Sequence, residues 1–459
     1  MAALNPQAEE LNRIIQAKSP TVYELLSKKG KAIYFPKKGI LAQGQAAKDK
    51  EINATIGTAC EDDGKPMVLP SVARHVDLPT KDIFPYAPSE GLKALRDKWK
   101  ELMMGKNPSL ATKEFSLPVV TCGVTHALSM VGYMFVDDTD EVITADLYWE
   151  NYDLVFTSAY GAELKFFNFF KNQKFDIDSF RKTVSAKPAG KKIVLLNFPN
   201  NPSGYTPTKE IAKEIIAVLT DAAKAGNKLV VILDDSYFGL DFEDDIFSES
   251  FFSQLAHAHE NLLAIKMDGI TKEEFAWGFR VGFVTYGIKG GGSELYKALE
   301  DKTAGAVRGN ISNAPNISQS LLLNAMQSET HGKEKERNKA KLKERYLKVK
   351  ETLNAHKEYA QYFEALTTRG QKDTRGVRAL GCDRASLRAR LCGRSEISRP
   401  HFLKAGMRAR WACMFSCDRS RSSFVRVYHR RRRVRAQICR RGSHGRSHQT
   451  ESAARSRGR

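Results

Sequence analysis

The first 368 residues have little cysteine and no long apolar stretch. They contain only Cys60 and Cys122, which is too few for a disulfide framework. The longest apolar stretches fall far below the roughly 18 residues that a membrane-spanning helix needs. The segment Met1–Glu10 has no apolar run after a basic start, so no secretory signal is visible. We therefore expect a cytoplasmic protein without membrane contact.

Excess positive charge is also missing from these 368 residues, although the whole chain has a formal net charge of +20. The segment Arg369–Arg459 holds 24 Arg, 2 Lys and 5 acidic residues, a net charge of +21, so the remainder carries −1. A near-neutral body argues against a basic nucleic-acid-binding face spread over the fold. We therefore do not expect nucleic acid as a partner of the body.

Short apolar runs alternate with amphipathic helical segments through the middle of the chain. This alternation predicts an α/β fold with a parallel sheet covered on both faces. Two N-terminal helices are predicted at Ala8–Lys18 and Pro20–Lys29, and a long charged helix at Lys333–Tyr359. The other predicted elements are the strands Glu141–Thr144, Glu163–Phe169, Ile193–Phe198, Leu229–Leu233, Leu262–Ile265 and Val281–Tyr286, and the helices Gly91–Met104, Thr208–Ala225 and Ser293–Ala304.

Four segments carry residue types that suit chemistry. The segment Thr121–Leu128 opens a helix with small residues whose backbone N–H groups can bind an anion. The segment Asn197–Gly204 predicts a sharp loop, and Leu233–Gly239 places a carboxylate at the same sheet edge. The fourth carries Lys272 and, eight residues on, Arg280. Taken singly, they are also typical of a helix cap, an ordinary turn, a solvated strand end and a solvated lysine.

Taken together, these segments bring free N–H groups, an Asn loop, an Asp, a Lys and an Arg to one sheet edge. That set suits a phosphorylated cationic ring held covalently by the lysine, as pyridoxal phosphate is held. Lys272 is the candidate for this lysine. Lys266, in contrast, lies within an apolar run.

Several short motifs stand in series along the chain: Asn53–Gly57, Asp62–Pro66, Tyr86–Gly91, Trp149–Tyr152, Asn201–Gly204, Asp234–Tyr237 with Gly239, Lys272 with Arg280, and Arg308–Asn313. In these motifs the sequence resembles the aspartate-aminotransferase-like enzymes, which are class I/II, fold type I, pyridoxal-phosphate-dependent aminotransferases. The resemblance covers about residues 1–366.

The resemblance implies a mostly parallel seven-stranded sheet covered by helices, with a small α+β domain that is incomplete here. Residues 1–65 would form an N-terminal arm and the first part of the small domain. Residues 66–322 would form the large cofactor-binding domain. Residues 323–366 would be a connecting helix with a remnant of the small domain, and 367–459 an irregular tail, non-native or disordered.

The resemblance also implies the residues that bind the cofactor ring. Lys272 would be the catalytic residue, forming the Schiff base and then moving the substrate's α-proton. Asp234 would pair with the pyridinium nitrogen, and Asn201 and Tyr237 would hydrogen-bond the phenolic oxygen. Arg280 would grip the phosphate, where a planar guanidinium forms two parallel hydrogen bonds.

Further roles follow from the same resemblance. The amides of Val124 and Thr125 would meet the phosphate, and Trp149 would stack on the ring beside the substrate. Asn201 would also contact substrate, and Gly57 would bring backbone close to the substrate carboxylate. Tyr86 would reach the phosphate across a subunit interface, which makes a homodimer expected.

Arg308 bears on substrate choice. In aspartate-type relatives the matching arginine comes from the partner subunit and binds the side-chain carboxylate of the substrate. Ser312–Pro315 follows it here, where the family tends to show two prolines, so a solvated arginine at a helix end stays an alternative. Gly269, where relatives often carry Ser, and His126, at a usually small position, are two further departures.

The sequence changes character after Leu366. No apolar period persists, and the family's arginine for the substrate α-carboxylate cannot be placed there. A frameshift explains the loss of composition and pattern together. The alternatives are a basic arm with the run His429–Arg433 and a zinc site including Cys413 and Cys417.

The predicted function is an aminotransferase acting on an amino acid of the aspartate or aromatic type and on a 2-oxo acid. A lyase or decarboxylase on the same scaffold would share the cofactor residues and is the first alternative. An inactive truncated homologue with a basic tail is the second. With a substrate clamp missing, we expect weak or no activity from this chain.

Overall fold

The computed structural model describes residues 4–35, 58–74, 77–186 and 189–356, and the backbone of two later strands, 363–367 and 374–379. The predictions for Gly57, Cys413, Cys417 and the run His429–Arg433 lie outside the described residues.

The helices are numbered in chain order: α1 Pro6–Lys18, α2 Pro20–Leu25, α3 Lys28–Ala32, α4 Pro70–Ala73, α5 Thr80–Ile83, α6 Lys93–Lys106, α7 Val124–Phe135, α8 Ile177–Val184, α9 Lys209–Lys224, α10 Phe251–Leu255, α11 Ile270–Glu273, α12 Ser293–Ile311, α13 Asn316–Met326 and α14 His331–Ala355. Single turns of 3₁₀-helix lie at Pro108–Leu110 and Trp277–Phe279, and a π-helix lies at Asp153–Ser158.

The strands are β1 Val119–Thr121, β2 Glu141–Ala145, β3 Glu163–Phe167, β4 Phe170–Lys171, β5 Lys174–Phe175, β6 Lys191–Asn197, β7 Lys228–Asp234, β8 Leu262–Gly269, β9 Gly282–Gly287, β10 Phe363–Thr367 and β11 Thr374–Ala379. Seven of them form one sheet in the order β1-β9-β8-β7-β6-β2-β3. In this sheet β9 runs antiparallel to both of its neighbours, β1 and β8, and the other adjacent pairs are parallel. The predicted seven-stranded, mostly parallel sheet is confirmed.

The central strands are buried on both faces, as the near-continuous apolar runs predict. Side chains alternate across a strand, so neighbours in sequence enter different layers. In β6, Val194 and Leu196 pack in one apolar cluster with α9, whereas Ile193 and Leu195 pack in another with α7. The sheet is therefore the middle layer of three, and α7 and α9 lie on opposite faces.

Some predicted boundaries are wrong for local reasons. The segment predicted as one helix at Pro20–Lys29 is two helices, because Leu26 is extended and the Ser27 hydroxyl accepts from Gly30 N to cap α3. The helix predicted to end at Ala304 continues to Ile311. Beyond Leu366, the backbone of β11 pairs antiparallel with that of β10.

Candidate active site

Three adjacent parallel strands deliver the predicted polar residues to one edge of the sheet. The last residues of β6 and β7, Asn197 and Asp234, are register partners, and Asp234 is also paired with Met267 of β8. The carboxyl ends of parallel strands form the usual ligand-binding edge of an open α/β sheet. The loop with Asn201 follows β6, and the short helix α11 with Lys272 follows β8.

An amide side chain ties two of these strand ends together. The Asn197 side chain donates from Nδ2 to the carbonyl of Asp234 at 2.8 Å, and its Oδ1 accepts from Asn201 N at 2.7 Å. These two bonds fix the Asn201 loop to the end of β7. Asn197 has a clear positioning role that the sequence analysis did not assign.

Asp234 is almost fully buried and has strong hydrogen-bond donors. Tyr152 donates its hydroxyl to Oδ2 at 2.6 Å, and the hydroxyl and N–H of Ser236 donate to Oδ1 at 2.6 and 3.1 Å. Burial raises the pKa of Asp234, and these donors offset part of that rise. Burial and the nearby Asp234 charge raise the pKa of Tyr152, which keeps its phenol a donor. The result is a buried carboxyl held in one orientation.

The N-terminus of α7 and Arg280 meet at a second point of the same edge. Gly123 precedes α7 with φ +80°, and a Cβ built there would lie 2.6 Å from Arg280 Nη2. A Cβ on Gly282 would lie 2.8 Å from Val124 N. Residues at the first helical positions, Val124 and Thr125, direct their N–H groups out of the helix end. The Arg280 guanidinium and the helix N-terminus therefore bring positive charge to one point of the edge, an arrangement that suits an anion.

The glycine at 123 offers a test of this anion site. We expect Gly123→Ala to weaken phosphate binding about tenfold or more, because the new methyl group displaces the Arg280 guanidinium. Gly204→Ala is the matched control, since Gly204 has φ +71° but open space around its Cβ position. Both variants share a backbone strain of about 1–3 kcal/mol. Equal phosphate affinity in the two variants, measured by calorimetry, would contradict this role of Gly123.

Lys272 lies beside Tyr237 at this edge. Its Nζ is 4.9 Å from the centre of the Tyr237 ring, and Tyr237 belongs to the turn that follows β7. Lys266 has a different environment. It is fully buried, and its Nζ lies 2.8 Å from carboxylate oxygens of both Asp235 and Asp268. These two charges outweigh the effect of burial and raise the pKa of Lys266, which keeps it a protonated structural cation.

Of three other predicted site residues, one lies near the strand-end residues and two lie on the surface of the chain. Trp149 is half-buried, and its ring packs edge-on, at 5.7 Å between ring centres, against Tyr152, the residue whose hydroxyl bonds Asp234. Tyr86 is 90% exposed. Arg308 is also exposed, in the last turn of α12. The single chain therefore gathers the strand-end residues and leaves Tyr86 and Arg308 on its surface.

The two departures from the family pattern have local explanations. A Cβ on Gly269 would lie 2.7 Å from the carbonyl oxygen of Val281, so a serine would need a backbone shift. His126 accepts from Cys122 N at 3.0 Å through Nδ1, and burial lowers its pKa. His126 thus closes the turn that leads into α7.

Among the described residues, no helix is long and apolar enough to cross a membrane. A cytoplasmic location stays a prediction.

The sequence and the fold are similar to those of known proteins. Residues 49–368 match the family described as aminotransferase class I and II. An aspartate aminotransferase of Bacillus sp. (strain YM-2) is 24% identical over 219 residues, which is 47% of this chain and 51% of that protein. The mitochondrial aspartate aminotransferase of Schizosaccharomyces pombe is 26% identical over 272 residues, 58% of this chain and 60% of that protein. The chain thus spans about half to three-fifths of the curated relatives it matches.

A solved structure extends the likeness. The crystal structure of an aminotransferase from Anaerococcus prevotii aligns with a TM-score of 0.63 and 26% identity, and covers 72% of this chain and 81% of that one.

Proposed function

Because this chain belongs to the class I and II aminotransferases, we propose that it transfers an amino group between an L-amino acid and a 2-oxo acid. Pyridoxal phosphate would bind at the carboxyl edge of the sheet. The observation that carries this proposal is the placement of Lys272, Asp234 and Arg280 on strand ends and turns of one edge.

The residues present fit the phosphate of this cofactor. Arg280 supplies a planar fork, and the amides of Val124 and Thr125 supply N–H donors at a helix N-terminus. Because Gly123 and Gly282 lack a Cβ, the Arg280 guanidinium packs closely against Gly123, and Gly282 packs closely against the start of α7. A phosphate group would neutralise both positive elements.

The residues also fit the ring. Asp234 would pair with the protonated ring nitrogen, and Asn201 and Tyr237 would hydrogen-bond the phenolic oxygen. Trp149 would cover one face of the ring. When bound, the cofactor would supply the electron sink for the bond broken at the substrate α-carbon. Lys272 Nζ would hold the cofactor and then move the α-proton.

The proposed substrates are an amino acid of the aspartate or aromatic type and a 2-oxo acid. Arg308 supports the dicarboxylate choice if a second copy of the chain presents it to the site, because its exposed guanidinium suits a carboxylate. The exposed Tyr86 would reach the partner's phosphate in the same homodimer. Gly57 would approach the substrate carboxylate.

The domain division belongs to this proposal. Residues 1–65 would form the arm and the start of the small domain, 66–322 the large domain, and 323–366 the connection that includes α14. Residues 367–459, which include β11, would be a non-native tail from a frameshift. Weak turnover with intact cofactor binding is expected, so the two are measured separately.

The test is a spectral titration of the full-length chain with pyridoxal phosphate, then with L-aspartate or L-tyrosine. A visible absorbance band that an amino acid removes and a 2-oxo acid restores supports the proposal. Sustained release of product from the amino acid alone, without a 2-oxo acid, would instead indicate a lyase or decarboxylase. A chain that binds no cofactor refutes the proposal.

Tyr152→Phe should weaken cofactor binding by about 10- to 100-fold, because a hydrogen bond to a charged group contributes about 1.5–3 kcal/mol. Tyr148→Phe is the control on the neighbouring ring, since the Tyr148 hydroxyl donates to Asp153 rather than to Asp234. Dissociation constants from fluorescence titration measure both variants. If both variants lose affinity equally, the loss does not come from the hydrogen bond between Tyr152 and Asp234.

A further inference from the structure

The helix that carries Lys272 is too short to hold its own position. α11 has four residues, about one turn, and an isolated turn is unstable because helix nucleation is unfavourable. Besides its connection to β8 and the bond from Ile270 N to the Val281 carbonyl, its location depends on the contacts of its side chains. Glu273 and Glu274 follow Lys272 directly, and both are buried, with 9% and 1% relative exposure. A buried carboxylate needs a partner, so these residues show what anchors the helix.

Glu273 joins three separate parts of the chain. Lys106 at the end of α6 donates to both of its carboxylate oxygens at 2.8 Å, and Lys335 of α14 donates to Oε1 at 2.9 Å. A Cβ on Gly239 would lie 3.3 Å from Oε1. Glu273 therefore also packs against the turn that bears Tyr237, whose ring lies beside Lys272.

Glu274 makes a second set of bonds to α14. Lys335 donates to its Oε1 at 2.6 Å, and His331 Nε2 lies 2.8 Å from its Oε2. Burial alone would raise the pKa of both glutamates. The charges of Lys106 and Lys335 outweigh burial at Glu273, and Lys335 with the His331 bond does so at Glu274, so both pKa values lie below their usual range.

We propose that Glu273 and Glu274 are positioning residues for Lys272, and that Lys106, Lys335 and His331 complete the cluster that sets the location and charge environment of its amine. The proposal deepens the proposed function and rests on Lys272 being the cofactor-bearing lysine. Lys335 is the central member, since it bonds both glutamates from a helix that starts 59 residues after Lys272.

The charges of these residues allow a test that distinguishes a positioning role from a general contribution to folding. Glu273→Gln removes one negative charge next to Lys272, so the nearby lysines disfavour its protonated form. Lys335→Met removes a positive charge from the same cluster, so the glutamates favour that form. The two variants should therefore act in opposite directions, although each removes ion pairs that stabilise the fold.

The experiment is competitive acetylation of Lys272 in the purified full-length chain as a function of pH, before any cofactor is added. The pH midpoint of acetylation should fall by about half a pH unit in Glu273→Gln and rise by about the same amount in Lys335→Met. Lys106→Met, which contacts only Glu273 in this cluster, should also raise the midpoint, and it replaces Lys335→Met if that variant does not fold. Peptide mass spectrometry reports Lys272 alone.

Lys343→Met is the matched control. It removes the same charge from α14 about 12 Å further along the helix axis, where Lys343 pairs with the exposed Asp244 at 3.6 Å. Its midpoint should equal that of the wild type, and Glu273→Asp should restore much of the wild-type value. Shifts of the same sign in the charge-opposed variants, or no shift, overturn the proposal. Failure of the wild type to bind pyridoxal phosphate would refute the proposed function. The acetylation midpoints would still test whether the cluster sets the charge environment of Lys272.

Discussion

Lys272→Ala should abolish the visible band that the chain forms with pyridoxal phosphate and remove the weak transamination expected of the wild type. A positioned side chain that transfers a proton contributes about 10²–10⁴-fold by itself, and this variant also loses the covalent hold on the cofactor. Non-covalent phosphate binding should survive, because Arg280 and the N-terminus of α7 are unchanged. Absorbance spectra and single-turnover assays measure the two effects separately.

The control for this variant is Lys289→Ala, an exposed lysine just after β9. It should keep both the band and the turnover of the wild type. Reduction of the cofactor complex with borohydride, followed by peptide mapping, should label Lys272 in the wild type and in the control. A label on Lys266, or a band that persists in Lys272→Ala, would show that the wrong lysine was assigned.

The choice between these two lysines shows what sequence reasoning can do here. The apolar run around Lys266 predicts a buried strand, and burial in β8 between two carboxylates agrees with that prediction. The sequence places Lys272 after a short strand, and in the structure it lies on the short helix α11 directly after β8. Local pattern thus predicts which element carries each lysine, whereas the Schiff-base role of Lys272 stays a prediction.

The contacts between distant segments could not be predicted in this way. Trp149–Tyr152 stands out as a motif, yet nothing in it indicates that the Tyr152 hydroxyl meets Asp234, 82 residues away. In the sequence alone, Glu273 and Glu274 are typical of a solvated loop. In the structure they are buried and paired with Lys335 of α14. Strand β1 has only three residues, which is too short for any alternation to be visible.

The second large effect concerns stability rather than chemistry, and it arises at Lys266. Its ammonium lies between Asp235 of the turn after β7 and Asp268 of β8, with no exposed surface. Ser250 and Trp99 donate one further hydrogen bond each to these carboxylates. Removing the lysine would leave two buried carboxylates without a counter-charge, and breaking a buried ion pair on one side costs about 3–5 kcal/mol.

Lys266→Met should therefore lower the free energy of unfolding by about 3–5 kcal/mol, because methionine fills the space but leaves both carboxylates unpaired. Chemical denaturation of the full-length chain without cofactor measures the change. Lys297→Met breaks an exposed pair with Asp301 on α12 and should leave stability unchanged, since solvent screens such pairs. Adding Asp235→Asn to Lys266→Met should recover part of the loss, because it removes one unpaired charge. If Lys266→Met proved as stable as Lys297→Met, the buried lysine would not be the cation that holds β8 to the turn after β7.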